Sequence, residues 1–354
     1  MEDVPVGAND AKEEFESYAK ISIIKRIVRT NAFSMLVLLV VLVGFFSILA
    51  PMRNDGFQTF FRVSTFLRIL QDIAVPGFLT LGVGLLIVTG NIDLSAANVG
   101  SLTGMIISAC VGWHDIHWLA AIAIGLCAAV VIGTVNAFLV NELKLAPFIV
   151  TMAMSSILSA VMQLVGTDAT GSVQGVINYS HDILLLIGTY KIFGEIPAAS
   201  VAVVVLFIIY GLALSKSKFG RILYLMGGNR AATYLAGINP RKTTYFLFIN
   251  CSLLASLAGI VNVSRVKMGS VSALSAFQFT GITAAILGGI SFGGGSGGLG
   301  GAFLGVVVIN AFSMGMTTSG SSSYLSIVMT GVLLLVALAF DFFNTRAQKR
   351  RVGA

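Results

Sequence analysis

Ten stretches of this chain run for about a bilayer's thickness with almost no charge, and that feature excludes most folds. They fall at about 33–51, 69–89, 95–112, 117–140, 147–166, 197–214, 243–263, 276–290, 299–317 and 323–343. A helix of roughly 20 residues crosses a ~30 Å hydrocarbon core. Several runs are short or interrupted by glycine, notably the second, third and eighth. The stretch 183–193 is too short to cross and is expected to lie along the outer surface or re-enter. Only 10% of the 354 residues are charged, against about 25% in soluble globular proteins. So few charges cannot cover a soluble body of this size. The expectation is an all-α, polytopic membrane protein with about ten transmembrane helices, some short or broken.

The net charge of +7 could suggest a nucleic-acid partner, but its distribution follows membrane topology and no nucleic acid is expected. Ten crossings put both termini on one side. With the termini inside, sixteen of the 22 basic residues are cytoplasmic, and only Arg53, Arg62, Arg68, Lys191, Arg265 and Lys267 are outside. That bias predicts cytoplasmic termini. Residues 1–30 read as a cytoplasmic segment able to form an interfacial amphipathic helix, 31–343 as the transmembrane domain, and 344–354 as a basic cytoplasmic tail. The long charged leader, with no A-x-A-like site after the apolar run, argues against a signal peptide. Cys110, Cys127 and Cys251 form no CxxC pattern and read as small core residues.

The cytoplasmic connection 215–242 is basic and contains no acid. Within it Asn229 is suited to cap a short helix, Gly237 to end it and Pro240 to block its continuation. A defined short helix and an ordinary amphipathic loop both fit that pattern. The segment Thr89-Gly90-Asn91-Ile92-Asp93-Leu94-Ser95 is the most polar interruption in the first five spans. Gly90 can end one helix, and Asp93 or Ser95 can cap the next. An acid beside a broken span is a functional candidate, while spacing alone favours a plain cap. The run 288–301 holds nine glycines in fourteen residues but lacks the GK[ST] ending of a phosphate-binding loop. Gly297, Gly301 and Gly305 recur every four residues and suggest one smooth helix face. His114, His117 and His181 fall near outer edges with Trp113 and Trp118, which fits an aromatic belt better than a metal site. No catalytic constellation is present.

Several segments together resemble the permease subunits of bacterial ribose-type (simple-sugar) ABC importers: TGNIDLS at 89–95, PFIVTMAM at 147–154, GRILYLMGGNRAATYLAGI at 220–238, LLASLAGI at 253–260 and AAILGGISFGGGSGG at 284–298. The resemblance covers most of the chain from about 70 to 343. It implies an ABC importer permease fold in the bacterial inner membrane. It further implies cytoplasmic ATPase subunits that carry ATP and Mg, an external solute-binding protein, and a second permease subunit, identical or homologous. Gly227, Gly228, Asn229, Arg230, Ala231, Ala232, Gly237 and Ile238 then correspond to the segment that docks on the ATPase. No Walker A motif is present, so ATP hydrolysis is expected in another polypeptide and this chain needs no cofactor of its own. The family often has Gly at Asn91, Glu at Arg230, Arg at Ser159, acids at Gln278 and Thr280, and a base at Ser296. These departures bear on the solute and fit a chain working beside a different permease subunit.

The expected translocation path is lined by Asn91, Asp93, Ser95, Asn98, Phe148, Thr151, Phe277, Gln278, Phe279 and Thr280. These residues offer hydroxyls, amides and aromatic faces but almost no fixed charge. A charged solute would be desolvated there without a counter-ion. A neutral monosaccharide or similar polyol is therefore expected, with a nucleoside next. A secondary transporter is the competing class. It needs coupling-ion ligands inside the spans, for which Asp93 is the strongest acidic candidate.

Overall fold

A computed structural model describes residues 31–49 and 60–322, and intermittently 324–339. The expected N-terminal segment 1–30 and the tail 344–354 lie outside the described residues. The apolar runs form helices α1 (Asn31–Leu49), α2 (Val63–Asp72), α3 (Ala74–Val88), α4 (Ala96–Trp113), α5 (Trp118–Asn141), α6 (Pro147–Val165), α7 (Asp182–Thr189) and α8 (Ala198–Lys216). After them come α9 (Lys218–Gly228), α10 (Arg230–Leu235), α11 (Pro240–Val266), α12 (Ser275–Leu287) and α13 (Leu299–Thr318). Four short strands pair antiparallel: β1 (Val176–Asn178) with β4 (Met268–Ser270), and β2 (Lys191–Ile192) with β3 (Ile196–Pro197).

Helix starts follow local chemistry. Pro147 and Pro240 occupy first-turn positions of α6 and α11, where the missing N–H costs nothing. Asn239 accepts from Arg241 N at 3.0 Å to cap α11. His117 and His181 accept from the backbone at the starts of α5 and α7, and Trp118 packs between their rings at 5.6 and 6.5 Å. Among the described residues no group of three or more His, Cys, Asp or Glu gathers as metal ligands would.

Among the described residues six helices are long and apolar enough to cross a membrane, or seven if α2 and α3, bent by 43°, form one span. The remaining apolar segments, Ala32–Ile48, Ser275–Leu287 and Ile327–Val336, are shorter. Length alone thus supports a multi-pass membrane protein but does not reach ten full crossings. The expected non-crossing stretch at 183–193 holds only the eight-residue α7 and strand β2.

Every residue of α3 is buried, as suits a helix apolar on all faces at a bundle centre. Helix α11 passes close by: a Cβ at Gly82 would stand 3.1 Å from the Cys251 backbone. Helices α4 and α11 meet through Gly100 and Gly259, where a Cβ on Gly100 would stand 2.6 Å from the Ala255 carbonyl. Small residues permit this approach where lipid supplies no hydrophobic drive. By contrast α5, α6 and α8 bury only 28%, 28% and 22% of their most apolar windows, and turn the rest outward.

The ends of α3, α5, α9 and the loop after α12 gather at one end of the bundle. The β1–β4 and β2–β3 pairs lie at the other. There Asp168 accepts from the amides of Thr170 and Ser172 and from Gln174 Nε2. Donation from Thr170 and Gln174 side chains holds its carboxyl down at about 2.

Candidate translocation site

Helix α3 stops because Thr89 and Gly90 turn back on it. Gly90, at φ +74°, donates to Ile87 O at 2.8 Å, and Asn91 N donates to Leu86 O at 3.0 Å. The chain then runs without helix to Ser95 and side chains alternate. Asn91, Asp93 and Ser95 turn inward and are buried, while Ile92 and Leu94 turn toward a hollow.

Asp93 and Ser95 form a clasp, while Asn91 Nδ2 donates to Thr89 Oγ1 at 2.8 Å. Ser95 donates to Asp93 Oδ1 through its amide at 2.7 Å and its hydroxyl at 2.6 Å. Asn136 Nδ2 of α5 donates to Ser95 Oγ at 3.0 Å. Gln278 of α12 accepts from Ala97 N at 2.9 Å and donates to Asp93 O at 3.2 Å. Cys251 of α11 sets its thiol against the Asp93 side chain. Thr151 of α6 donates to Pro147 O at 2.9 Å and approaches Ile92 O at 3.4 Å. Four helices thereby hold one broken segment, and the unpaired amides at the start of α4 find acceptors.

The hollow has a volume of about 540 Å³ and is lined by Ile92, Leu94, Asn98, Phe148, Met152, Ser155, Ser275, Gln278, Phe279 and Phe292, with further aliphatics from α12 and from Leu334 and Leu338. It contains no charged side chain. Its polar edge is built: Asn98 Nδ2 donates to Ser155 O, Ser155 Oγ and Ser159 Oγ at 2.7, 2.8 and 3.1 Å.

Of the expected path residues, Asn98, Phe148, Gln278 and Phe279 meet at this hollow. Asp93, Ser95 and Thr151 sit behind it as bracing. Phe277, one helical step from Gln278, lines a separate hollow of about 510 Å³ toward the strand end, beside the Arg265–Asp72 ion pair. Thr280 donates to Ala276 O within its own helix. Ser155, Ser159 and Ser275 were not among the expected lining. The four-residue spacing of Ser155 and Ser159 on α6 is the signal that points to them.

A third hollow, about 660 Å³, lies at the other end of the bundle and brings distant motifs together: Thr89–Asn91, the α5–α6 turn, Met226–Arg230 and Gly293. Asn229 Oδ1 caps α10 by accepting from Ala232 N at 2.9 Å, and Gly237, at φ +78°, follows its end. Arg230 Nη2 donates to Asn141 Oδ1 at 2.7 Å and Thr244 Oγ1 at 3.2 Å. Ala231, Ala232, Tyr234 and Leu235 stay exposed. Gly301 and Gly305 do pack against the backbone of α12, at Gly288 and Ala284. Gly297 does not share that helix face: it lies before α13 at φ +109°, where a Cβ would strike Ile290.

Long apolar helices around a broken span, an uncharged hollow and a capped helix at one end describe a multi-pass membrane protein. Residues 65–338 match the family described as "Branched-chain amino acid transport system / permease component", and the chain belongs to that family. It is 31% identical over 306 residues to the ribose import permease protein RbsC of Escherichia coli (strain K12), covering 86% of this chain and 92% of that one. Against the ribose import permease protein RbsC of Bacillus subtilis (strain 168) the identity is 30% over 313 residues, covering 86% and 90%. Against the fructose import permease protein FrcC of Rhizobium meliloti it is 29% over 284 residues, covering 80% and 79%. The chain is thus a transporter component of the ABC importer class rather than an enzyme.

Proposed function

We propose that this chain carries a neutral sugar or related polyol across the bacterial inner membrane. Its solute is delivered by an external binding protein, and ATP is hydrolysed with Mg on separate cytoplasmic ATPase subunits. The observation that carries this reading is the uncharged hollow beside the 89–95 break. Interrupted helices are where transporters commonly place substrates. Amides and hydroxyls from Asn98, Ser155, Ser275 and Gln278 suit hydroxyl-rich solutes, and Phe148 and Phe279 offer flat faces to a sugar ring. Relatives named for ribose and fructose support the same class.

An amino acid would bring two charges into a hollow that pairs neither, at a cost of several kcal/mol. A second permease subunit, identical or homologous, would supply the facing wall. The Gly227–Ile238 segment is the ATPase-coupling element: Tyr234 and Leu235, 68% and 85% exposed on a short helix, are apolar groups that a groove on another protein would cover. Both termini then face the cytoplasm, by the excess of basic residues on that side.

Uptake of labelled pentoses, hexoses, nucleosides and amino acids, measured with the binding protein and ATPase present, tests this. ATP-dependent uptake of a neutral sugar is expected. Preference for a charged or zwitterionic solute overturns the solute assignment, and uptake indifferent to ATP overturns the importer assignment.

A further inference from the structure

A groove of about 580 Å³ opens where α8, α9 and the start of α13 diverge. Phe207, Ile208, Leu212 and Phe303 give it apolar walls, and Ile208 and Leu212 are half exposed. Its floor is open because Gly298 and Gly300 lack side chains, and a Cβ on either would meet nothing within 4 Å.

Lys216, Lys218 and Arg221 follow the lining residue Ser215 in the chain and precede the lining residue Tyr224, and all three are exposed. Lys216 closes α8, Lys218 opens α9, and Arg221 lies one turn before the lining residue Tyr224 on the same helix. Among the described residues none of the three has an ion pair or a side-chain hydrogen bond. The connection 215–242 contains no acid to neutralise them. Elsewhere Arg241 and Arg265 each hold an acid, Glu142 at 2.6 Å and Asp72 at 2.8 Å.

We propose that this groove binds an anionic phospholipid, with an acyl chain between α8 and α13 and the phosphate near Lys216, Lys218 and Arg221. The apolar walls are complementary to the chain and the three cations to the headgroup. A zwitterionic lipid fits the walls equally but brings a cationic headgroup to the same three bases. Tyr224 donates from its hydroxyl to Gly297 O at 2.6 Å, tying α9 to the turn before α13 at the groove's edge. Bound lipid therefore braces the start of the loop that leads into α10.

The purified full chain, exchanged into vesicles of phosphatidylcholine with or without phosphatidylglycerol and examined by native mass spectrometry, tests this. Retention of phosphatidylglycerol over phosphatidylcholine is expected by roughly ten-fold. A Lys218→Gln/Arg221→Gln variant should lose that preference while keeping lipid of either kind. Gly300→Leu, whose Cβ meets nothing within 4 Å and whose longer side chain reaches into the groove, should lose retention of both lipids at an unchanged unfolding temperature. Equal retention of both lipids by the unaltered chain overturns the proposal. So does a preference that survives both variants, which places the lipid elsewhere. Cross-linking of a cysteine at Leu212 to residues 1–30 would assign the groove to the chain's own charged leader, and would equally overturn it.

Discussion

Asp93 is the most polar side chain in the membrane-spanning core, yet its contacts are those of a clasp. Its Oδ1 accepts two donations from Ser95, and Asn keeps an acceptor in that place. Asp93→Asn should therefore unfold within about 1 kcal/mol of the unaltered chain and retain uptake per inserted molecule. Asp93→Ala leaves the buried Ser95 groups unmet and should destabilise by about 1–3 kcal/mol. Thermal unfolding beside normalised uptake separates the two. A folded Asp93→Asn that no longer transports would show that the charge itself is needed. Gln278 illustrates the same chemistry: it accepts from Ala97 N and donates to Asp93 O at once, which a carboxylate cannot do. The sequence marked 89–95 as special but not which side chains face the hollow. That depended on the segment being extended, so that Ile92 and Leu94 alternate with the polar residues. Phe277 was misplaced for a related reason, since neighbours on a helix diverge by about 100°.

At the scale of elements, two helices end alike. Gly289 N donates to Ile286 O at 2.8 Å and Ile290 N to Ala285 O at 3.0 Å, repeating the bonds of Gly90 and Asn91 at the end of α3. The two ends touch, because Gly295 N donates to Val88 O at 2.8 Å. Gly227 of α9 packs onto that bond, and a Cβ there would collide with Val88 O and Gly295 N. The loop that carries α10 thus meets two spans at one backbone junction. Gly227→Val should lower stability by about 1–3 kcal/mol through overpacking. Gly228→Val, where a Cβ meets nothing within 4 Å, should change it by no more than about 0.5 kcal/mol. Equal losses in thermal unfolding of the purified permease would refute the junction. The short helix, its Asn229 cap and its Gly237 stop were legible because capping is local. The β1–β4 pair was not: it joins residues about ninety positions apart through three-residue strands with no alternation to read.

For the whole molecule, apolar runs located most of the long helices to within a few residues, but hydropathy missed the break between α2 and α3 and did not say which helices cross. Helix α12 has thirteen residues and reaches about 20 Å, short of a ~30 Å core. Its apolarity comes from burial against α3 and α13 rather than from lipid contact. The count therefore rests on where loops emerge, and α8 gives the sharpest test. Its 19 residues reach about 28 Å, between Phe193 in the turn joining β2 to β3 and Leu235 at the end of α10. These side chains are 94% and 85% exposed in the chain alone, so in cells that lack the ATPase subunits a cysteine at either is open to reagent. Cys127, exposed on α5, is first replaced by alanine to remove its background. A membrane-impermeant maleimide added to intact cells should label Phe193→Cys at once and Leu235→Cys only after the membrane is opened. The reverse pattern would invert the orientation drawn from the basic residues. Labelling of both from outside would mean that α8 does not cross, and with it would fall the separation of solute entry from the α10 loop.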